Sequence, residues 1–258
     1  MKIKDVLSAL EQFAPLPLQE GWDNAGLQIG LTEAELSGAL LCLDVNERII
    51  NEAVAKGCNL VVSHHPLLFR GLKQISDQND VQRTVWKAIT QGICVVSMHT
   101  NMDNARGGVN FKIAERLGLT NVRFGVDENA ASGSWVVGEF AELMAADDFV
   151  KHVKQSMEAE SAMCNELLQR PIRSVAICGG AGDGFLDEAI AAGVDAFLTG
   201  EMHYHVYFGH EQQLQICVIG HYESEHFTTE IFRDVIENAC PGVRTIIAET
   251  NTNPIVYF

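Results

Sequence analysis

Three short apolar runs in this chain each stop at histidine and carboxylate residues. Asn59-Leu60-Val61-Val62-Ser63 runs into His64-His65, Ile93-Cys94-Val95-Val96-Ser97 runs into His99 and then Asp103, and Ile216-Cys217-Val218-Ile219-Gly220 runs into His221 and then Glu225. The runs are continuous and β-branched rather than alternating, which predicts strands buried on both faces, as in a mainly parallel sheet. In open α/β sheets ligands bind just beyond the carboxyl ends of the strands. Three strands therefore deliver imidazoles and carboxylates to positions where sites are built. Nitrogen and oxygen donors converging from rigid elements far apart in sequence suit a metal ion.

The pattern also repeats. Residues 52–63, EAVAKGCNLVVS, align with 188–199, EAIAAGVDAFLT, with Gly57 and Gly193 as left-handed helix C-caps before a strand. Ala39-Leu40-Leu41-Cys42 matches Val175-Ala176-Ile177-Cys178, and ICVVS at 93–97 matches ICVIG at 216–220. Each half is expected to run strand, helix, strand, helix, strand, helix. The predicted fold is α/β: two similar α/β domains with mainly parallel sheets and right-handed crossovers. The first, 1–125, carries His64, His65 and Asp103; the second, 126–258, carries a connector and then His221 and Glu225. Residues 126–171 fit neither copy: Ser134 to Gly138 reads as a strand, and Phe149, Val150, Val153 and Met157 have helical spacing, so a connecting or edge element is expected. His64-His65 aligns with Gly200-Glu201, so the copies differ where a site would sit. Two halves facing each other across a pseudo-twofold axis would line one interdomain cleft.

Length and charge narrow the function classes. A chain of 258 residues is comfortable for two cores, and 47% hydrophobic with 20% charged residues is a globular composition. The net charge of -16 and pI near 4.9, with no Lys/Arg run, disfavour nucleic acid and anionic membranes as partners. The seven cysteines are odd in number, lack C-x-x-C spacing and sit mostly in apolar runs, as buried thiols of a reducing compartment do. Met1 to Asp5 has no apolar stretch for secretion, and no run approaches the ~18 apolar residues of a membrane span. A soluble, cytoplasmic protein is expected.

Each candidate has a plain structural reading beside the chemical one. His64-His65, before Pro66, is a ligand pair or a hydrogen-bonded structural pair. Adjacent residues of an extended segment point opposite ways, so as ligands they suit two metals better than one. Asp103 either ligates or caps the helix expected from Val109 to Leu117, and His99 is placed behind the ligands, holding one in orientation. His221 and Glu225, four apart at a helix start, share one face; the alternative is a solvated first turn favoured by the helix dipole. Glu201, His203, His205 and His210 are metal donors or a polar face by a cleft, and His152 and His226 are structural. Gly179 to Gly184 forms a tight turn or cradles a substrate phosphate on backbone amides, Gly180 and Gly182 being the contacts. It lacks the Gly-Lys-Ser/Thr of a phosphate loop and the spacing of a dinucleotide fingerprint. No nucleophile elbow is present.

Five segments occur in the order found in one known family: Gly21-Trp22-Asp23-Asn24-Ala25-Gly26-Leu27-Gln28, Ser63-His64-His65-Pro66, His99-Thr100-Asn101-Met102-Asp103, Asp195-Ala196-Phe197-Leu198-Thr199-Gly200-Glu201, and Gly220-His221 with Glu225. From Trp22 to Asn253-Pro254 the chain resembles the GTP cyclohydrolase I type 2 family, also called the NGG-one-interacting-factor-three-like family. The resemblance implies a dinuclear metal site in the cleft between two α/β domains, and a ring-shaped homohexamer. Carried over by residue, it implies His64 and Asp103 on one ion, His65 and His221 on the other, and Glu225 bridging both. Some relatives carry an extra domain between the halves, for which this chain is too short, and Ser224 stands where many have Thr.

Two functions are compatible with this site. One is a metal-dependent hydrolase with two divalent ions per chain (Zn, Fe, Mn, Co or Ni), acting on a small anionic or nucleotide-like substrate; the family name implies GTP ring opening. The other is a non-enzymatic metal-binding ring serving as store, metallochaperone or interaction scaffold. Open coordination positions beside a substrate-shaped pocket distinguish the first from the second.

Overall fold

The structure, a computed structural model, describes residues 1–127 and 129–258. Its contacts divide the chain into two compact units, 1–105 with 228–254, and 106–227 with 255–258.

The first unit is built on a five-stranded sheet. Its strands are β1 (Gly26–Ile29), β2 (Ala39–Cys42), β3 (Leu60–Ser63), β4 (Cys94–Ser97) and β11 (Thr245–Ile247), ordered β1-β4-β3-β2-β11. β4, β3, β2 and β11 run parallel and β1 is antiparallel at the edge. Every residue of β2, β3 and β4 is buried, as the unbroken apolar runs require of strands covered on both faces. Crossovers are made by α2 (Glu47–Ala55) and α3 (Asp80–Thr90). The Asn46 side chain caps α2 by accepting from the amides of Arg48 and Ile49, and Asn79 accepts from Gln82 at the start of α3. α2 ends before Gly57, at φ 68, and the matching helix of the second unit ends before Gly193, at φ 70. Both are the left-handed caps that the repeat predicts. α1 (Ile3–Phe13) buries Ile3, Val6 and Leu10 on one face and packs against α9 (Thr228–Ala239). After β4 comes the single turn α4 (Thr100–Asp103).

The second unit holds a six-stranded sheet ordered β5-β6-β8-β9-β10-β7. The strands are β5 (Thr120–Phe124), β6 (Val136–Met144), β7 (Met163–Cys164), β8 (Ile172–Ala181), β9 (Ala196–Glu201) and β10 (Gln215–Val218). Its helices are α5 (Val109–Arg116), α6 (Ala146–Ser156), α7 (Leu186–Ala191) and α8 (His221–Glu225). Only β8-β9-β10 is parallel and the other three pairings are antiparallel, so this sheet is mixed where a mainly parallel one is expected, β5, β6 and β7 joining through antiparallel pairings that need no crossover helix. Both sheets thus share a parallel three-strand centre, β2-β3-β4 and β8-β9-β10, which is the repeat seen in the sequence.

Four further expectations need correction. The division at 125/126 moves to 105/106, because β11 pairs in parallel with β2 and α9 covers α1, drawing 228–254 into the first unit. Residues 126–171 are no mere connector: β6 is bonded on both sides within the sheet, and Val136, Phe149 and Val153 are core residues. Between β9 and β10 the expected helix is replaced by a 3-10 turn, Tyr204–Tyr207, and an irregular stretch with Gly209 and Gln212 at positive φ. The helix expected from His221 onward breaks at His226-Phe227, so α8 belongs to the second unit and α9 to the first. All seven cysteines are free thiols, six of them buried. Among the described residues no helix is long and apolar enough to cross a membrane.

Phe149→Ala tests whether residues 126–171 are integral. This fully buried ring packs edge-to-face on Phe140 of β6, so its truncation is expected to cost about 3–5 kcal/mol in urea unfolding. A loss below about 1 kcal/mol would return the segment to connector status.

Candidate metal centre

In the first unit, β3 hands directly over to the His64-His65 pair. The amides of His64 and His65 both donate to Leu43 O, at 3.1 and 3.0 Å, fixing the backbone just past β2 and β3. His64 is buried, and its Nδ1 donates to Met98 O at 2.8 Å. With the proton on Nδ1, Nε2 carries the lone pair, and it lies 3.5 Å from Asp103 Oδ1. His65 Nδ1 donates to Asp44 Oδ1 at 2.7 Å, and Asp44 Oδ2 accepts from Thr252 Oγ1 at 2.8 Å. His99 Nδ1 donates to Asp23 Oδ1 at 2.7 Å. Asp23 also accepts from the Thr100 amide at 3.0 Å and from the Thr100 hydroxyl. Burial opposes the charge on Asp23, but hydrogen bonds from His99 and Thr100 outweigh it and hold the carboxyl at about 2.

His64, His65 and His99 can each place a ring nitrogen so that the three lie within 4.8 Å of one another. Each ring is tied through Nδ1 to a carbonyl or carboxylate, the arrangement that orients metal-ligating histidines and raises their basicity. His99, expected behind the ligands, has a ring nitrogen within reach of those of His64 and His65, and Asp44 and Asp23 are the carboxylates that hold the His65 and His99 rings. Neither aspartate had been singled out: each lies far in sequence from its histidine, and only the Asp23 within Trp22-Asp23-Asn24 gave any signal, as part of the resemblance.

In the second unit, α8 begins directly after β10 and packs against β8 and β9. His221 Nδ1 lies 3.1 Å from Glu201 Oε1 at the end of β9, and His221 Nε2 lies 3.0 Å from Glu225 Oε2, one helical turn on. Glu201 thus stands to His221 as Asp44 does to His65. The Glu225 carboxylate is buried rather than a solvated first-turn group. It rests on Gly180 of β8, where a Cβ would come within 2.3 Å of Glu225 Oε1. Glycine is needed there for that approach and for the positive φ of 62.

The glycine turn is not an anion cradle. The Gly179, Gly180 and Gly182 amides already donate to Asn110 Oδ1, Ser224 Oγ and Thr199 Oγ1, at 2.8, 3.0 and 3.0 Å. The role expected of Gly180 and Gly182 as substrate contacts gives way to close packing. His203 pairs with Asp183, His205 stacks on Phe208, and His210 lies near Gln213. None of these three joins a donor cluster among the described residues. A cavity of about 440 Å³ adjoins His221 and Glu201, walled by Met163, Met202, Ile219, Ile255 and Tyr257.

The donors are imidazole nitrogens and carboxylate oxygens with no thiolate, which fits a borderline divalent ion such as Zn, Fe, Mn, Co or Ni. Asp23→Ala is expected to strand the His99 ring and the Thr100 donors. It should lower stability by about 1–3 kcal/mol in urea unfolding at neutral pH; no loss would show that Asp23 anchors nothing.

Comparisons with known proteins agree with this architecture. The sequence profile of Duf34/NIF3 (NGG1p interacting factor 3) matches residues 1–254. The chain is similar to a "GTP cyclohydrolase 1 type 2 homolog" of Clostridium perfringens, 33% identical with 100% of both chains covered. It is also similar to a protein of the same description from Clostridium acetobutylicum, 31% identical over 98% of each. A hypothetical protein of Staphylococcus aureus of known crystal structure superposes with a TM-score of 0.91 at 26% identity, covering 100% of this chain and 99% of that one. A Bacillus cereus protein related to NIF3 shares the fold at a TM-score of 0.90 and 22% identity, over 100% and 99%. With the profile spanning nearly its whole length, this chain belongs to the Duf34/NIF3 family.

Proposed function

We propose that the chain binds two divalent metal ions and is a metal-dependent hydrolase of a small nucleotide-like substrate. The observation that carries the metal reading is the set of Nδ1-anchored imidazoles, His64, His65 and His99, with their ring nitrogens within 4.8 Å. Following the family resemblance, His64 and Asp103 serve one ion, His65 and His221 the other, and Glu225 both. His99 joins the first two histidines as a further donor. Divalent ions held there supply Lewis acidity and make water acidic enough to attack at neutral pH.

The chain's own groups prepare that chemistry. Met98 O, Asp44 and Glu201 hold the protons on the Nδ1 atoms of His64, His65 and His221, so that the Nε2 atoms remain donors. Asp103 and Glu225 offset only half the charge of two dications, which favours an anionic substrate. The cavity beside His221 is within the size range of small-molecule sites, and its largely apolar walls carry a few polar groups, Glu201, His203 and His221 among them. The substrate class rests on the relatives' description as GTP cyclohydrolase 1 type 2 homologs. We assign the protein to the cytoplasm and to a homo-oligomer of six chains, the latter on the resemblance.

Elemental analysis of protein purified without chelator is expected to show two ions per chain; a value that stays at one after reconstitution refutes the dinuclear reading. Glu225→Gln keeps the shape and removes the charge that offsets repulsion between two dications, worth several kcal/mol even at an effective dielectric of ~20. It should therefore lower occupancy of both ions with little change in thermal stability; retention of both at unchanged affinity moves the bridge elsewhere. Metal-loaded protein that turns over no nucleotide in a screen favours the storage or scaffold function.

A further inference from the structure

Two large aromatic side chains are left in solvent on the first unit. Trp22 is 60% exposed and Phe69 is 47% exposed. Leaving such rings in water forgoes their burial, although single exposed apolar residues are common. These two are not scattered. Their ring centroids are 5.7 Å apart at 47°. Both meet His99 edge-on, Trp22 at 6.0 Å and 73° and Phe69 at 6.3 Å and 71°. The pair therefore borders the imidazole cluster.

The frame beneath them is rigid. Asp23, next to Trp22, is clamped by His99 and Thr100. Asn24 donates through Nδ2 to Leu68 O at 2.7 Å, and the Leu68 amide donates to Gln28 Oε1 at 3.1 Å. Gln28 Nε2 donates back to Asn24 O at 2.6 Å. The loop carrying Trp22 is thus stitched to the loop carrying Phe69, directly ahead of a second feature, the exposed cations Arg70 and Lys73. Arg70 follows Phe69 directly and Lys73 lies three residues on, two exposed cations on one loop of a chain of net charge -16.

We propose that the exposed Trp22 indole, braced by the tilted Phe69 ring, is a stacking face for the planar heteroaromatic ring of the ligand, with Arg70 and Lys73 of the Phe69 loop supplying positive charge for its phosphate. This rests on the hydrolase reading above only for the ligand's reaction, not for its binding. Aromatic faces bind bases because every base presents a π-face, and a ring braced beforehand loses less entropy on binding.

Tryptophan fluorescence of the full chain, titrated with guanosine 5′-monophosphate, tests the proposal. Trp86, the other exposed indole, is replaced in a Trp86→Phe background, and the same background carrying Trp22→Ala gives the emission of buried Trp135, so that the difference reports Trp22. Quenching by the nucleotide is expected. Trp22→Ala, followed by calorimetry, should weaken binding about tenfold or more, and Phe69→Ala should weaken it in the same direction. Metal content and circular dichroism should be unchanged in both variants, and ribose 5-phosphate, which lacks the ring, should bind wild type and Trp22→Ala alike. Absence of quenching up to millimolar nucleotide overturns the stacking face, as does Trp22→Ala binding with wild-type affinity. Dissociation of an oligomer by Trp22→Ala in light scattering also overturns it, making the pair a subunit contact. Trp22-dependent binding without turnover of any nucleotide supports the stacking face and sinks the hydrolase. Turnover of a ring-free substrate untouched by Trp22→Ala does the reverse.

Discussion

An imidazole holds a cation only when one nitrogen presents its lone pair and the other keeps its proton occupied. That constraint organises this protein more than any other. Met98 O, Asp44, Asp23 and Glu201 each engage one Nδ1 atom, and each comes from a different stretch of chain than the histidine it holds. The anchors in turn need anchoring: Thr252 holds Asp44, and Thr100 holds Asp23. A distortion at Thr100 or Thr252 therefore reaches the cluster without touching a histidine. Fixed orientation of this kind is what separates a working metal site from an equal number of surface histidines.

The strands supply the precision. β3 and β4 are buried along their whole length, so the backbone at His64 and at His99 is positioned by the core and not by loops. On the other unit, β8 and β9 set the floor on which α8 rests, and close contact at Gly180 aims Glu225. Packing at this density leaves no room for a methyl group, so the glycine turn that resembles a phosphate loop in composition serves a side chain and spends its amides on Asn110, Ser224 and Thr199.

Much of this was legible in the residues. Buried parallel strands leave an unbroken apolar signature, and β2, β3, β4, β9 and β10 fall where it predicts. Helix caps at Gly57 and Gly193 were equally readable, since a positive φ selects glycine. The histidines of the cluster stood out because each follows such a strand. Long-range pairings left no mark: nothing local tells that Asp44 meets His65, that Asp23 meets His99, or that β11 will add to β2. The place of β6 was obscured for a related reason. Its antiparallel pairing with β8 carries no crossover helix, so the helix-and-strand rhythm that located the repeat is silent there.

The chain leaves the first unit at residue 105 and re-enters it at 228. During synthesis, the first unit must therefore wait. Its sheet stays open along β2, and α1 lacks the α9 partner, until residues 228–247 have been made. At ribosomal rates of about 5–20 residues per second, the roughly 140 residues between residue 105 and β11 take about 7–28 s, with an apolar strand edge uncovered. The second unit needs no such return for its sheet: β5 to β10 emerge in one stretch. The unit that begins later can finish its sheet earlier, and the nascent first unit is the stage at which a chaperone, or a wrong strand from another chain, finds its opening.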